Sequence, residues 1–126
     1  MKLEYPLDFF LIQQESDLEK YLEVDTYPWP EERLKESFAL CQLSINSNTR
    51  KAVILVFFET IFKEDPFQVM LTLVHESCHV FDNMMDYYGV EQVDTEVRAY
   101  GVESIYASLW DDYSKRKKIL EELDAN

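Results

Sequence analysis

The sequence predicts an α+β fold in which a small β-sheet precedes long helices. Apolar segments of strand length lie in the first half of the chain, and all four prolines fall within the first 66 residues. The second half is therefore free of the residue that most strongly interrupts helices. With 126 residues, 47% of them hydrophobic, the chain can form one core, so we expect a single domain over residues 1–126.

The first half opens with a strand followed by a helix. Residues 7–14, LDFFLIQQ, are rich in branched and aromatic side chains and predict a strand. Residues 16–24 predict a helix, which Ser16 and Glu19 would open as a capping box. Two prolines within residues 25–32 then indicate a loop.

A β-hairpin follows. Residues 37–45 alternate between apolar and polar side chains, as a half-buried strand does, and residues 51–59 form the continuous apolar run of a more deeply buried strand. The polar residues 46–50 supply the turn between them. The predicted inward face of the first of these strands consists of Ala39, Cys41, Leu43 and Ile45.

Helices fill the second half. Asp65 is a helix cap with Pro66 at the first helical position, and Gly89 is suited to the end of the same helix. A second helix begins at Asp94 or Thr95, and the charged segment SKRKKILEEL predicts a solvated C-terminal helix. The complete expected order is β-α-β-β, a motif-bearing helix, a following helix and a C-terminal helix.

Charge and composition exclude several classes of function. Twelve basic against 25 acidic residues give a net charge of -13, which repels nucleic-acid phosphates and anionic membranes. The longest apolar runs are too short to span a bilayer. The N-terminus lacks the features of a signal peptide, and two cysteines are too few for a disulfide framework. We therefore expect a cytoplasmic protein without direct nucleic-acid or membrane partners.

The helix after Asp65 carries both histidines of the chain in the segment LVHESCHVFD. His75 and His79 are four residues apart, so their imidazoles project from one face and can converge on one ion, at the roughly 2.0–2.1 Å typical of zinc–nitrogen bonds. Glu76 is turned aside from them, which is the position a general base needs. At about 100° per residue, the same polar stripe includes Gln68, Asp82 and Asp86.

A catalytic zinc site needs a third protein ligand, and the chain has no third histidine. Glu96, near the start of the next helix, is the preferred candidate because the chain can fold back after Gly89. Asp82 is the alternative, but it shares one helix with both histidines and would surround an ion poorly. Cys78 is the least plausible ligand, and we expect it in the core.

HESCH followed by TEVRAY resembles the zincin metallopeptidases, and specifically the gluzincins, in which a glutamate from the following helix joins H-E-x-x-H. The element order resembles a minimal zincin core, and the short chain is similar to small zincin-like proteins of phages and mobile elements. The resemblance implies Zn²⁺ held by His75, His79 and Glu96. It also implies peptide hydrolysis, with Glu76 activating a zinc-bound water.

The resemblance further implies a peptide or protein substrate paired with an edge strand, here the segment 37–45. One departure concerns Tyr100, which stands where thermolysin-like members carry an orienting aspartate; we expect it in the core. A tyrosine near the motif would stabilise the oxyanion, and the sequence does not rank the candidates. These candidates are Tyr87, Tyr88, Tyr100 and Tyr106.

Two other interpretations stay open on the sequence alone. The chain can be a non-enzymatic acidic binding protein, such as an inhibitor or a DNA mimic, with a structural metal or none. Alternatively, His75 and His79 bind no metal and are satisfied by hydrogen bonds to neighbouring helices. A metallopeptidase requires Glu76, whereas a binding protein would tolerate its replacement by glutamine.

Overall fold

The computed structural model describes residues 7–22, 29–45 and 50–125. Within these residues, three strands and four helices form an α+β arrangement, which confirms the predicted class. The elements are β1 (Asp8–Ile12), α1 (Glu15–Leu22), α2 (Glu31–Glu36), β2 (Leu40–Ile45), β3 (Ala52–Phe57), α3 (Pro66–Tyr87) and α4 (Thr95–Ala125).

The sheet has the order β1-β3-β2, with β3 parallel to β1 and antiparallel to β2. The predicted hairpin is therefore confirmed, although residues 46–49 of its turn lie outside the described residues. Every residue of β3 is buried, as its apolar run predicted. Ile45, expected on the inward face, is 59% exposed because it lies at the end of β2, paired with Ala52.

Helices cover both faces of the sheet. On one face, Ile54 and Val56 of β3 pack with residues of α3 and α4 such as Leu73 and Ile105. On the other, alternate residues of β3 pack with α1 and with Trp29 and Leu34, which lie just before and within α2. The period-two alternation of β3 thus supplies two hydrophobic cores from one strand.

The first half departs from the prediction in two ways. Glu31 and Glu32 were expected in a loop but begin α2, so the order is β-α-α-β-β and not β-α-β-β. The predicted capping box is also wrong, because α1 begins at Glu15 and Ser16 lies inside it. Asp17 stabilises this end instead, its carboxylate accepting hydrogen bonds from the backbone amides of Gln13 and Gln14. Residues 23–28 lie outside the described part.

The ends of α3 follow the predicted signals. The Asp65 carboxylate accepts hydrogen bonds from the amides of Phe67 and Gln68, at 2.9 and 3.2 Å. At the other end, Gly89 has a positive φ of 70°, and its amide donates to the Asp86 carbonyl. The next amide, Val90, donates to Met85, which completes a Schellman motif.

The glutamate helix and the C-terminal helix, predicted as separate, form the continuous 31-residue α4. No proline interrupts the second half of the chain, so nothing in the sequence requires a break. The C-terminal segment is also not wholly solvated, because the Arg116 side chain is only 17% exposed. Within the described ranges, no helix combines the length and apolar character needed to cross a membrane.

Candidate functional site

The site is built on α3, whose buried face fixes the direction of its polar one. Val69, Leu73, Val80 and Met84 are all buried in the core between this helix, the sheet and α4. Their spacing is that of one helical face, so the opposite face must point outward. His75 and His79 lie on that outward side and are exposed.

The two histidines are in contact with each other. The Nε2 atoms of His75 and His79 are 3.1 Å apart, and the ring centroids are separated by 4.8 Å. Two nitrogens bound to one tetrahedral zinc at 2.0–2.1 Å are roughly 3.3 Å apart. The same separation also fits a hydrogen bond between two neutral imidazoles. The pair therefore presents the donor atoms of a metal site at nearly the required spacing.

Glu76 lies beside this pair but is directed into the protein. The residue is 4% exposed, and its Oε2 atom has no hydrogen-bond partner among the described residues. Burial raises the pKa of the Glu76 carboxyl above its ordinary value, while His79 and His75 oppose the shift. A buried carboxylate oxygen without a partner is costly, which indicates that it is retained for a role other than stability.

An open groove connects Glu76 with solvent. It lies between α3 and the segment that leads into β2, has a volume of about 390 Å³, and is lined by residues that include Phe38, Gln68, Leu71, Thr72, His75 and Glu76. β2 is an edge strand of the described sheet. The groove thus places a histidine and the buried carboxylate next to a strand edge.

The opposite edge of the sheet is covered differently. The Arg116 guanidinium donates to the backbone carbonyl of Leu11 in β1, at 2.7 Å, and also contacts Asp17 and Asp112. This contact uses a carbonyl that an added strand would need. Within the described residues the two edges are therefore unequal, because a backbone carbonyl of β1 is occupied by a side chain of α4.

Cys41 interacts electrostatically with Glu76 and is hydrogen-bonded to Asn83, and neither Cys41 nor Asn83 was predicted as a site residue. The Asn83 amide nitrogen donates to the Cys41 sulfur over 3.4 Å. Burial raises the pKa of the Cys41 thiol to about 12; the bond from Asn83 opposes this and the charge of Glu76 adds to it. The alternation of β2 predicted the inward direction of Cys41. Asn83, one turn beyond His79, could have been found from the same helical spacing.

Glu96 is not brought to the histidines. It lies exposed in the first turn of α4, where its amide donates to the Asp94 carboxylate over 2.9 Å. The ion pair between Arg98 and Asp82 fixes the relative level of the two helices. Glu96 is two residues nearer than Arg98 to the loop that connects α3 and α4. It therefore lies on the loop side of Asp82, about 8 Å from His79 measured along the axis of α3.

Asp82, the alternative ligand, is engaged by Arg98, whose guanidinium also lies 5.5 Å from the centroid of the Phe81 ring. Across the described parts of the chain, no three or more His, Cys, Asp and Glu side chains form a group that could hold a metal ion. The structure therefore brings together His75, His79 and the adjoining Glu76, without assembling the third ligand.

The other predicted residues are scattered. Tyr100, expected in the core, is 44% exposed, and Cys78 is only half-buried, so both predictions of core packing are wrong. Tyr87 and Tyr88 pack edge to face at the end of α3, with ring centroids 5.0 Å apart. Tyr106 stacks on Trp110. None of these contacts identifies an oxyanion-stabilising tyrosine.

Comparison with known proteins adds no family to this geometry. No family model matches the sequence, and neither a curated protein nor a solved structure matches the chain.

Proposed function

We propose that this protein is a zinc-dependent hydrolase of the metallopeptidase type, built on a minimal zincin-like core. One observation carries the proposal: the imidazoles of His75 and His79 meet at 3.1 Å beside the partnerless buried carboxylate of Glu76, at a groove along an edge strand. Exposed histidines that touch, adjoining an unsatisfied acid, are characteristic of a metal-dependent site. With its thiols free, the protein suits the reducing cytoplasm.

The donor set fits zinc, because imidazole nitrogen and carboxylate oxygen are both ordinary zinc ligands. His75 and His79 would hold the ion. When bound, zinc supplies a Lewis acid that lowers the pKa of water and polarises a carbonyl. Glu96 remains the third ligand proposed from the sequence, and reaching the pair requires α4 to shift along α3. Asp82, which the ion pair with Arg98 engages, is its rival.

The chain's own residues account for the remaining steps. An extended peptide would pair its backbone with β2 and place its scissile carbonyl at the groove. The Glu76 carboxylate would take a proton from the attacking water and deliver it to the leaving amine. Phe38 and Leu71, both exposed at the groove, would contact apolar substrate side chains. Burial raises the pKa of Glu76, and a carboxylate with a higher pKa is a stronger general base.

The proposal predicts that zinc-loaded protein cleaves members of a peptide library and that Glu76→Gln abolishes cleavage while keeping the metal. We expect at least a 100-fold loss of rate, typical for removing a general base. Mass spectrometry of the peptides measures cleavage, and elemental analysis measures bound zinc. Glu59→Gln, an exposed carboxylate outside the groove, is the matched control and should retain activity.

Zinc content of single variants separates the ligands. We expect His75→Ala and His79→Ala to lose the metal, and either Glu96→Ala or Asp82→Ala to weaken its binding by about 10-fold or more. A protein that binds zinc but cleaves nothing would favour the acidic binding interpretation, with a structural metal. A protein that binds no zinc under any loading condition contradicts the hydrolase.

A further inference from the structure

The apolar face of α4 continues beyond the core that it covers. Ile105, Leu109 and Tyr113 are buried against the rest of the protein. The same face, followed at about 100° per residue, leads through Arg116 to three exposed apolar residues. These are Ile119, Leu120 and Leu123, with exposed fractions of 57%, 40% and 65%. Three large apolar side chains on one face of a helix end are typical of a surface that another element covers.

The charges around this surface are arranged in two opposite blocks. Lys115, Arg116, Lys117 and Lys118 precede the apolar pair of Ile119 and Leu120, and Glu121, Glu122 and Asp124 follow it. A helix with this order is complementary to itself when a second copy runs antiparallel. The basic block of each copy then lies beside the acidic block of the other, with the apolar pair at the crossing.

We propose that this segment of α4, residues 115–124, is a homodimer interface in which two copies of the helix pack antiparallel, centred between Ile119 and Leu120. The inference goes beyond the hydrolase and does not depend on it. A crossing at this point brings Leu123 of each copy level with Arg116 of the other. There the chain has a groove of about 360 Å³, lined by the apolar residues Phe62, Ile119 and Leu120 and by the polar residues Gln13, Gln14, Asp17 and Arg116. The apolar part of this groove would accept the leucine.

The helical repeat determines which charges meet. On one flank of the apolar face lie Lys117 and Asp124, and on the other lie Lys115 and Glu122. When two copies of a helix pack antiparallel, each flank lies beside the same flank of the other copy. Lys117 therefore lies beside Asp124 of the second copy, offset along the helix axis by about 3 Å. Lys118 and Glu121 point away from this face. They serve as controls, because Lys118 has the same charge as Lys117 and Glu121 has the same charge as Asp124.

The test exchanges charges across the interface. Sedimentation velocity in about 0.15 M salt, where only charges within roughly 8 Å interact strongly, measures the dimer dissociation constant. We expect Lys117→Glu and Asp124→Lys, each made alone, to weaken self-association about tenfold, since each places two like-charged pairs at the interface. Mixing the two single variants should restore association, because in the mixed dimer every acidic side chain at these two positions again faces a basic one.

Leu123→Asp removes the apolar contact and should leave a monomer with unchanged helix content by circular dichroism, because this side chain is exposed within one copy. Lys118→Glu and Glu121→Lys should dimerise as the parent does. A parent that remains monomeric at millimolar concentration would overturn the proposal. So would a dimer that Lys117→Glu and Leu123→Asp leave intact.

Discussion

Glu76 is a carboxylic acid that the fold buries while leaving one of its oxygens without a partner among the described residues. Burial raises its folded-state pKa, so as pH rises the unfolded chain releases this proton first and the free energy of unfolding falls. We expect metal-free Glu76→Gln to gain stability over the parent as pH rises from about 4, near the pKa of an unfolded glutamate, to about 8. Urea denaturation across this range measures the difference. If the stability difference between Glu76→Gln and the parent did not change with pH, the raised pKa of Glu76 in the folded state would be contradicted.

At the scale of elements, α4 is tied to β1 and α1 through Arg116, which contacts the Leu11 carbonyl, Asp17 and Asp112. Replacing this largely buried side chain with leucine leaves Asp17 without its cation, and we expect a loss of about 2–4 kcal/mol in the free energy of unfolding. Arg116→Lys should recover little, because one ammonium cannot reproduce the planar fork. Chemical denaturation measures both variants. The exposed Lys118→Ala should change stability by less than about 0.5 kcal/mol, and an equally small effect of Arg116→Leu would refute the anchoring role.

At the scale of the whole molecule, zinc binding at the histidine pair should stabilise the folded state against the unfolded one. A free zinc concentration about 100 times the dissociation constant contributes about 2.7 kcal/mol, which for a chain of this size raises Tm by about 5–15 °C. Differential scanning fluorimetry should show this rise in Glu76→Gln and its absence in His75→Ala. The net charge of -13 attracts any divalent cation, so magnesium at equal concentration is the control. An equal rise with magnesium would argue against a specific site.

The sequence predicted the features that depend on residues close together in the chain. The apolar run of β3, the Asp65 cap, the Gly89 terminus and the pairing of His75 with His79 each depend on residues close together in the chain. The short helix α2 was missed because none of its residues is fully buried and only Leu34 packs against the core, which leaves no apolar periodicity to recognise. The position of Glu96 could not be predicted, because it depends on the level at which two helices meet.

The bonds of Arg116 also bear on when the chain can fold during synthesis. Its partners Asp17 and Leu11 precede it by 99 and 105 positions. β1 is therefore made before the helix α4 that secures its outer edge. Until α4 emerges, that edge can pair with a neighbouring nascent chain. This fold is thus incomplete until α4 is made, and the interval before that is the one in which aggregation is the greater hazard.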